Sequence, residues 1–399
     1  MNVLFVSARF PYPLDTGAKI RTFNLLRWVS QRHKTTLLTF SESPEDKQHL
    51  PLLQEHCHEV VLVPKRPHGR AGVNGKLGLV TNLFSSLPYT ISRYSSAAMS
   101  EEIARVVRRN SIQLIHCDHL HVAQNVPRCE AKRLLNEHNV EAMISKRLAQ
   151  TFRNPLSRGY MELQWRKLER YEAEVCSQFD HCVVVSEEDK RTLLSMCGQA
   201  SVSVIENGVD TEYFQPVKVP KVPNSLVFTG AMDWMPNEDA VLYFCDAILP
   251  LIRQTVPEVQ VFIVGRNPSQ RLRDRCVAAK VQVTGSVPDV RPYVAQGSVF
   301  VVPLRSGGGT RLKILEAMAM GVPCVSTTIG CEGLRVSDGR DIVVADAPQE
   351  FADGVARLLG NPTQCAEMGV AGRQLVEQSY DWRQIGLKLA EVYERVASV

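Results

Sequence analysis

The sequence predicts two α/β domains in succession, each a doubly wound parallel sheet, facing one another across a cleft. Three observations carry this. Short, nearly continuous apolar runs alternate with helical patterns, the signature of parallel strands covered on both faces. The alternation breaks once, in a proline-bearing stretch, and then restarts. The chain has 399 residues, 44% apolar and 22% charged, which is a globular composition long enough for two cores.

In the first half the strand candidates are NVLFVS, TTLLTF, EVVLVP, QLIHCD, RLLNEH, CVVVSE and VSVIENG. Helical patterns such as GAKIRTFNLLRWVSQR and EEDKRTLLSMCG lie between them. TEYFQPVKVPKVPN, with three prolines, reads as a linker. The second half runs through SLVFTG, the helix NEDAVLYFCDAILPLIRQ, VQVFIVGR, VQVTGS, SVFVVPL, GVPCVST and DIVVAD, and closes in three helical patterns. The expected division is residues 1–208, a linker at 209–224, and residues 225–379, with a final helix at about 380–399.

The formal charge of +4 is too small to imply nucleic acid. The N-terminus MNVLFVSARFPYP lacks the basic lead-in and apolar length of a signal peptide. No apolar run approaches the roughly 20 residues of a membrane span. The 11 cysteines are scattered without a C-x-x-C pair, as expected of reduced, buried thiols in a cytoplasmic protein. In His56-Cys57-His58 neighbouring side chains alternate faces on a strand, so a metal role is not expected there.

The most informative stretch is RSGGGTRLKILEAMAMGVPCVST, Arg305 to Thr327. It follows a buried strand and opens a helix, which Gly321 and Pro323 stop. The helix start offers unpaired amide groups and partial positive charge, and the glycines permit close approach to the backbone. A phosphate is the natural guest. Glu316 shares a face with Leu312 and Ala319, and a carboxylate on an apolar face needs a partner. Adjacent sugar hydroxyls are one candidate partner; Arg311, Lys313 or solvent are the others.

LKILEAMAMGVPCVST resembles the nucleotide-sugar motif of family-4 glycosyltransferases, the retaining enzymes of GT-B fold, which pair two Rossmann-like domains. VIENGVDTEYF resembles their interdomain signature, VFTGAMDWMPNEDAVLYF and VFIVGR their first two C-domain strands, and FPYPLDTGAKIRTFNLLRWVS their N-terminal glycine loop and helix. The similarity extends to sugar transferases of bacterial exopolysaccharide systems.

The resemblance implies that Glu316 binds ribose hydroxyls and that Gly309, Thr310 and Arg311 face the diphosphate, with Gly308 also a substrate-binding candidate. Thr16 and Gly17 would close over the phosphates, and Gly230 would lie beside them. His138, in RLLNEHNVEA, occupies the place of a histidine that lines the donor sugar; His119 and His121 are further candidates. It also implies a UDP- or GDP-sugar donor, no cofactor, no metal, retention of anomeric configuration, and a glycan or polyprenyl-linked acceptor. Two departures stand out. The family's first motif glutamate falls at Gly308. The Arg and Lys that hold the diphosphate in many members fall at Ala231 and about Asn237, leaving Arg266, Arg305, Arg311 and Lys313 as local cations, with Arg311 first. A degenerate relative that binds a nucleotide without turnover is the alternative.

Residues 65–109 hold Lys65, Arg66, Arg70, Lys76, Arg93, Arg105, Arg108 and Arg109 against two glutamates, with Leu77, Leu79, Val80, Leu83, Phe84 and Leu87 among them. Such a segment suits an anionic membrane surface. A dehydrogenase would need a G-x-G-x-x-G after the first strand, and NVLFVSARFPYPLDTGAKI lacks it. A periplasmic binding module would need a signal peptide.

Overall fold

The computed structural model describes residues 1–65, 82–152, 154–307, 309 and 311–398. The chain forms two compact units, Met1–Glu206 with Ile385–Val399, and Asn207–Gln384.

The first unit holds β1 (Asn2–Ser7), β2 (Lys34–Ser41), β3 (Glu59–Pro64), β4 (Leu114–Asp118), β5 (Lys132–Asn136), β6 (His181–Val184) and β7 (Val202–Val204). They build one sheet in the order β3-β2-β1-β4-β5-β6-β7, and every pairing is parallel. The second unit holds β8 (Ser225–Thr229), β9 (Gln260–Val264), β10 (Gln282–Gly285), β11 (Val299–Val302), β12 (Cys324–Ser326) and β13 (Val343–Val344). Their order is β10-β9-β8-β11-β12-β13, again all parallel. Each apolar run singled out in the sequence is one of these strands. In both sheets the order reverses beside the first strand, so a crevice opens at the carboxyl ends of β1/β4 and of β8/β11.

The strands are apolar throughout because both faces are covered. In β8, Leu226 and Phe228 pack with Ile248, Ile252 and Phe351 on one face. Val227 packs with Ile314, Leu315 and Met318 on the other. At roughly 1.5–3 kcal/mol per fully buried large side chain, these layers supply the main stabilisation.

Residues 209–224 are counted with the second unit. There Val209 N–H bonds the Tyr380 carbonyl (2.8 Å) and Val222 N–H that of Gln296 (2.9 Å). The last helix, Trp382–Ala397, gives the first unit its residues from Ile385 onward. Ile385, Leu389 and Tyr393 are fully buried, and the Tyr393 hydroxyl lies 2.6 Å from His116 Nδ1.

Candidate functional site

The crevice of the second unit is built from three loop-to-helix turns. After β8, Gly230 bonds back to the Val264 carbonyl (3.0 Å). A β-carbon on Gly265 would meet the Gly230 carbonyl oxygen at 1.7 Å, so the chain can make this approach only with glycine there. Asn237, on the helix Met235–Tyr243, is buried and donates from Nδ2 to the Ala231 carbonyl (2.9 Å). After β11 the chain passes Gly307 at φ +114° and enters the helix Leu312–Ala319.

That helix turns Ile314, Leu315 and Met318 into the core and leaves Lys313 and Glu316 half-buried, with Lys313 Nζ 2.8 Å from where a β-carbon on Gly230 would lie. Lys313 Nζ donates to Asn237 Oδ1 (2.8 Å) and lies 4.1 Å from the centre of the Phe228 ring. Burial, with the Arg311 charge behind it, pulls the Lys313 ammonium down to about 7, and Glu316 only partly offsets this. Burial pushes the Glu316 carboxyl up to about 7 against the opposing pull of Lys313. Glu316 accepts no side-chain hydrogen bond among the described residues. A half-buried carboxylate and ammonium with raised and lowered affinities for their protons mark this helix turn as a candidate site.

The other expected cations have different placements. Arg311 is buried at the helix start, its guanidinium 5.4 Å from the Trp234 ring and close to Gly307. Arg305 instead pairs with Asp239 (2.6 Å) and lies over Tyr243, held by the neighbouring helix. Arg266 meets the Ala231–Met232 turn through its carbonyl, which accepts from Met232 N–H at 2.9 Å. Gly309 has φ +77°. Gly308 and Thr310 lie outside the described residues.

The first unit gathers a second polar cluster at the carboxyl ends of β4 and β5. Asp118 ends β4 and is fully buried. It accepts from Thr22 Oγ1 (2.5 Å) and Asn136 Nδ2 (2.7 Å), lies 2.9 Å from His138 Nε2, and faces His116 Nε2 at 3.6 Å. Burial alone would raise Asp118, but the charges and hydrogen bonds of His138 and His116 hold it well below the carboxylate range. Arg21 is buried beneath; it donates to Asn136 Oδ1 and to the carbonyls of Ile205 and Glu206, each at 2.9 Å. His138 is thus locked by a carboxylate that is itself locked. The ring of His119 lies 5.0 Å from that of His138, and His121 Nδ1 is 2.7 Å from His119 Nδ1. Burial, then the neighbouring histidines, keeps His119 well below its usual range; burial and Arg9 bring His121 to about 4.

Thr16 caps the helix Gly17–Val29, its hydroxyl accepting from Lys19 N–H at 3.5 Å, with Gly17 the first helical residue. The sequence reading missed Asp118, Asn136 and Arg21. A signal was present for Asp118, which closes HCD at a strand end as Glu137-His138 follows the next; nothing set Arg21 apart from a solvated helix residue.

Two family models match the chain: residues 16–213 match Glycosyltransferase Family 4, and residues 223–361 match Glycosyl transferases group 1. The chain belongs to the GT-B glycosyltransferases. Sucrose-phosphate synthase from Thermosynechococcus elongatus shares the fold over 100% of this chain and 99% of its own, with a TM-score of 0.76 at 17% identity. Anabaena Alr3699/HepE, solved in complex with UDP, matches over 99% and 100% with a TM-score of 0.72 at 14% identity. Phosphatidyl-myo-inositol mannosyltransferase of Mycobacterium tuberculosis is 30% identical over 229 residues, 54% of this glycosyltransferase and 59% of the mannosyltransferase. The alignment therefore spans little more than half of that relative's length. An uncharacterized 44.6 kDa protein of the Klebsiella pneumoniae cps region is 20% identical over 96% of this chain and 97% of its own.

The segment expected at a membrane surface is described only in part. Lys65 pairs with Glu42 (2.5 Å), Arg105 with Glu102 and Arg109 with Glu59, so much of its described positive charge is neutralised locally. Phe84 is 90% exposed and Leu83 42%. Arg66, Arg70, Lys76, Leu77, Leu79 and Val80 lie outside the described residues. No helix among the described residues is long and apolar enough to cross a membrane.

Proposed function

We propose that this glycosyltransferase takes a sugar from a nucleoside-diphosphate donor and passes it, with retention, to a glycan or lipid-linked acceptor. One observation carries the reading. Lys313 Nζ meets the Gly230 turn at the end of β8, Arg311 meets Gly307 after β11, and Glu316 lies one helical turn beyond Lys313 on the same helix. In this reading Glu316 accepts from the ribose hydroxyls. Lys313, Arg311 and the amides around Gly309 hold the diphosphate.

Breaking the sugar–phosphate bond leaves negative charge on the diphosphate, and fixed cations and amides in a water-poor crevice stabilise it. These side-chain cations need no divalent metal on the diphosphate. The acceptor hydroxyl attacks from the face the nucleotide leaves, and the departing phosphate takes its proton. We assign His138 to the donor sugar, with Asp118 fixing its ring.

The relatives support the substrate classes. One 35%-identical relative, from Mycolicibacterium smegmatis, is described as GDP-mannose-dependent and acts on a phosphatidylinositol monomannoside; the alignment spans 159 residues, 36% of this chain and 42% of that protein. The cps-region similarity points to bacterial surface polysaccharide. A lipid-linked acceptor places the protein at the cytoplasmic membrane face, with Phe84 and Leu83 as contact points.

The test is turnover of a UDP- and GDP-sugar panel with prenyl-phosphate-linked and free glycan acceptors, reading the product anomer by NMR. A product retaining the donor anomer supports the proposal. Inversion, or nucleotide binding with no transfer across the panel, counts against it.

A further inference from the structure

We propose that His119, His121 and Glu141 form a binding site for one divalent transition-metal ion of the zinc type. The site shares no residue with the nucleotide-binding crevice. Each of the three offers one ligating atom, and these atoms all lie within 4.8 Å of one another. His119 Nε2 stands 3.6 Å from Glu141 Oε1. Zinc bonds of roughly 2.0–2.2 Å to nitrogen and oxygen separate the ligands of a tetrahedral site by about 3.5 Å, so the cluster needs only side-chain rotation to close on an ion.

The geometry comes from the backbone. His119 follows β4 at φ +97°, ψ 135°, which a non-glycine residue adopts only at a cost. Its N–H is tied to the Asn136 carbonyl at 2.9 Å. This bend brings two histidines one residue apart onto a common point. Glu141 comes from the first position of the helix Glu141–Thr151. The start of that helix is pinned by Glu172, whose carboxylate accepts from the N–H groups of Glu141 (2.8 Å) and Ala142 (2.9 Å). Tyr94 packs edge-on against His121 at 5.2 Å. The ligands are therefore positioned by three separate supports before any ion arrives.

Two imidazoles and a carboxylate are a zinc donor set, and without a thiolate the set does not favour copper(I). All three residues are half-buried, and the His119 and His121 rings, whose Nδ1 atoms lie 2.7 Å apart, would turn to present separate nitrogens to an ion. Arg9 and Lys65 are the cations whose field reaches His121, and both are engaged by Tyr94. Arg9 Nε lies 3.4 Å from its hydroxyl and Lys65 Nζ 3.8 Å from its ring centre. Their repulsion lowers the affinity without blocking the site.

The test titrates Zn²⁺ alone, against a chromogenic competitor, into the chelator-treated full chain and its H121A and E141Q variants, with circular dichroism confirming the fold. The proposal expects one equivalent in the wild type and at least tenfold weaker binding in each variant. Co²⁺ should give the visible absorption of a nitrogen- and oxygen-ligated tetrahedral site. No stoichiometric binding, equal binding in wild type and E141Q, or a thiolate-to-cobalt charge-transfer band would overturn it. E141Q keeps the side chain's shape and carries the test alone if H121A does not fold.

Discussion

Lys313 Nζ donates to Asn237 Oδ1 at 2.8 Å, and a β-carbon on Gly230 would lie 2.8 Å from that nitrogen and 2.6 Å from Asn237 Nδ2. The family resemblance places a phosphate-holding lysine at about position 237, where this chain has an amide. The ammonium at this turn comes instead from the helix after β11, and the Asn237 amide oxygen accepts its hydrogen bond. Lys313→Met should therefore weaken binding of a nucleoside diphosphate about tenfold or more, as loss of a charge-assisted contact does. Calorimetry with the diphosphate and the bare nucleoside checks this, since the nucleoside should bind both proteins alike.

Gly230→Ala should have a similar effect for a steric reason. Its methyl group would press on both Asn237 and Lys313 and displace the cation. Diphosphate affinity should fall while the thermal midpoint shifts only modestly. An unchanged affinity would show that the anion does not approach this turn.

Ligand affinity should depend on pH in a bell centred near neutrality. The Lys313 ammonium stands at about 7 and is needed charged, so affinity falls as pH rises above 7. The Glu316 carboxyl stands at about 7 and is needed ionised, so affinity also falls as pH drops below 7. Lys313→Met should remove the alkaline limb and Glu316→Gln the acid limb, each read by calorimetry across pH 5.5–8.5.

The same carboxyl has a cost in stability. Its folded value lies above the ordinary 4.5, so its contribution is fully present below about 4.5 and is lost as pH rises through 7. Glu316→Gln should therefore stabilise the ligand-free protein by on the order of 1–2 kcal/mol at pH 8 and leave it nearly unchanged at pH 4. Urea unfolding at the two pH values checks the sign.

Much of this was legible in the sequence. All thirteen strands appear as apolar runs because parallel strands are buried on both faces, and the glycine-to-helix turn after SVFVVPL is found where the sequence places it. What was not legible depends on partners distant in the chain. Arg305 and Lys313 both read as local cations, yet Asp239 holds the first and Asn237 draws the second inward. Arg21 and Asp118 read as ordinary polar residues because their burial is compensated by Asn136, Thr22, His138 and the Glu206 carbonyl, contributed from other elements.

Asp118→Ala should be severely destabilising. It removes a buried carboxylate and leaves His138 and the Asn136 amide without their acceptor, a loss of about 3–5 kcal/mol. Asp118 stands well below its ordinary 3.8, so its contribution is present above that value and is lost as pH falls further. Chemical denaturation at pH 7 should show nearly the full difference between wild type and variant.

In the proposed function the helix Leu312–Ala319 holds a nucleoside diphosphate through Glu316 and Lys313. Calorimetric titration of UDP, GDP, ADP and TDP into the wild type, Glu316→Ala and Lys313→Met tests it most directly. At least one nucleotide should bind the wild type. Glu316→Ala should weaken that binding by roughly 1.5–3 kcal/mol, about ten- to more than a hundredfold. If no nucleotide binds, or if both variants bind as the wild type does, the crevice is not the donor site.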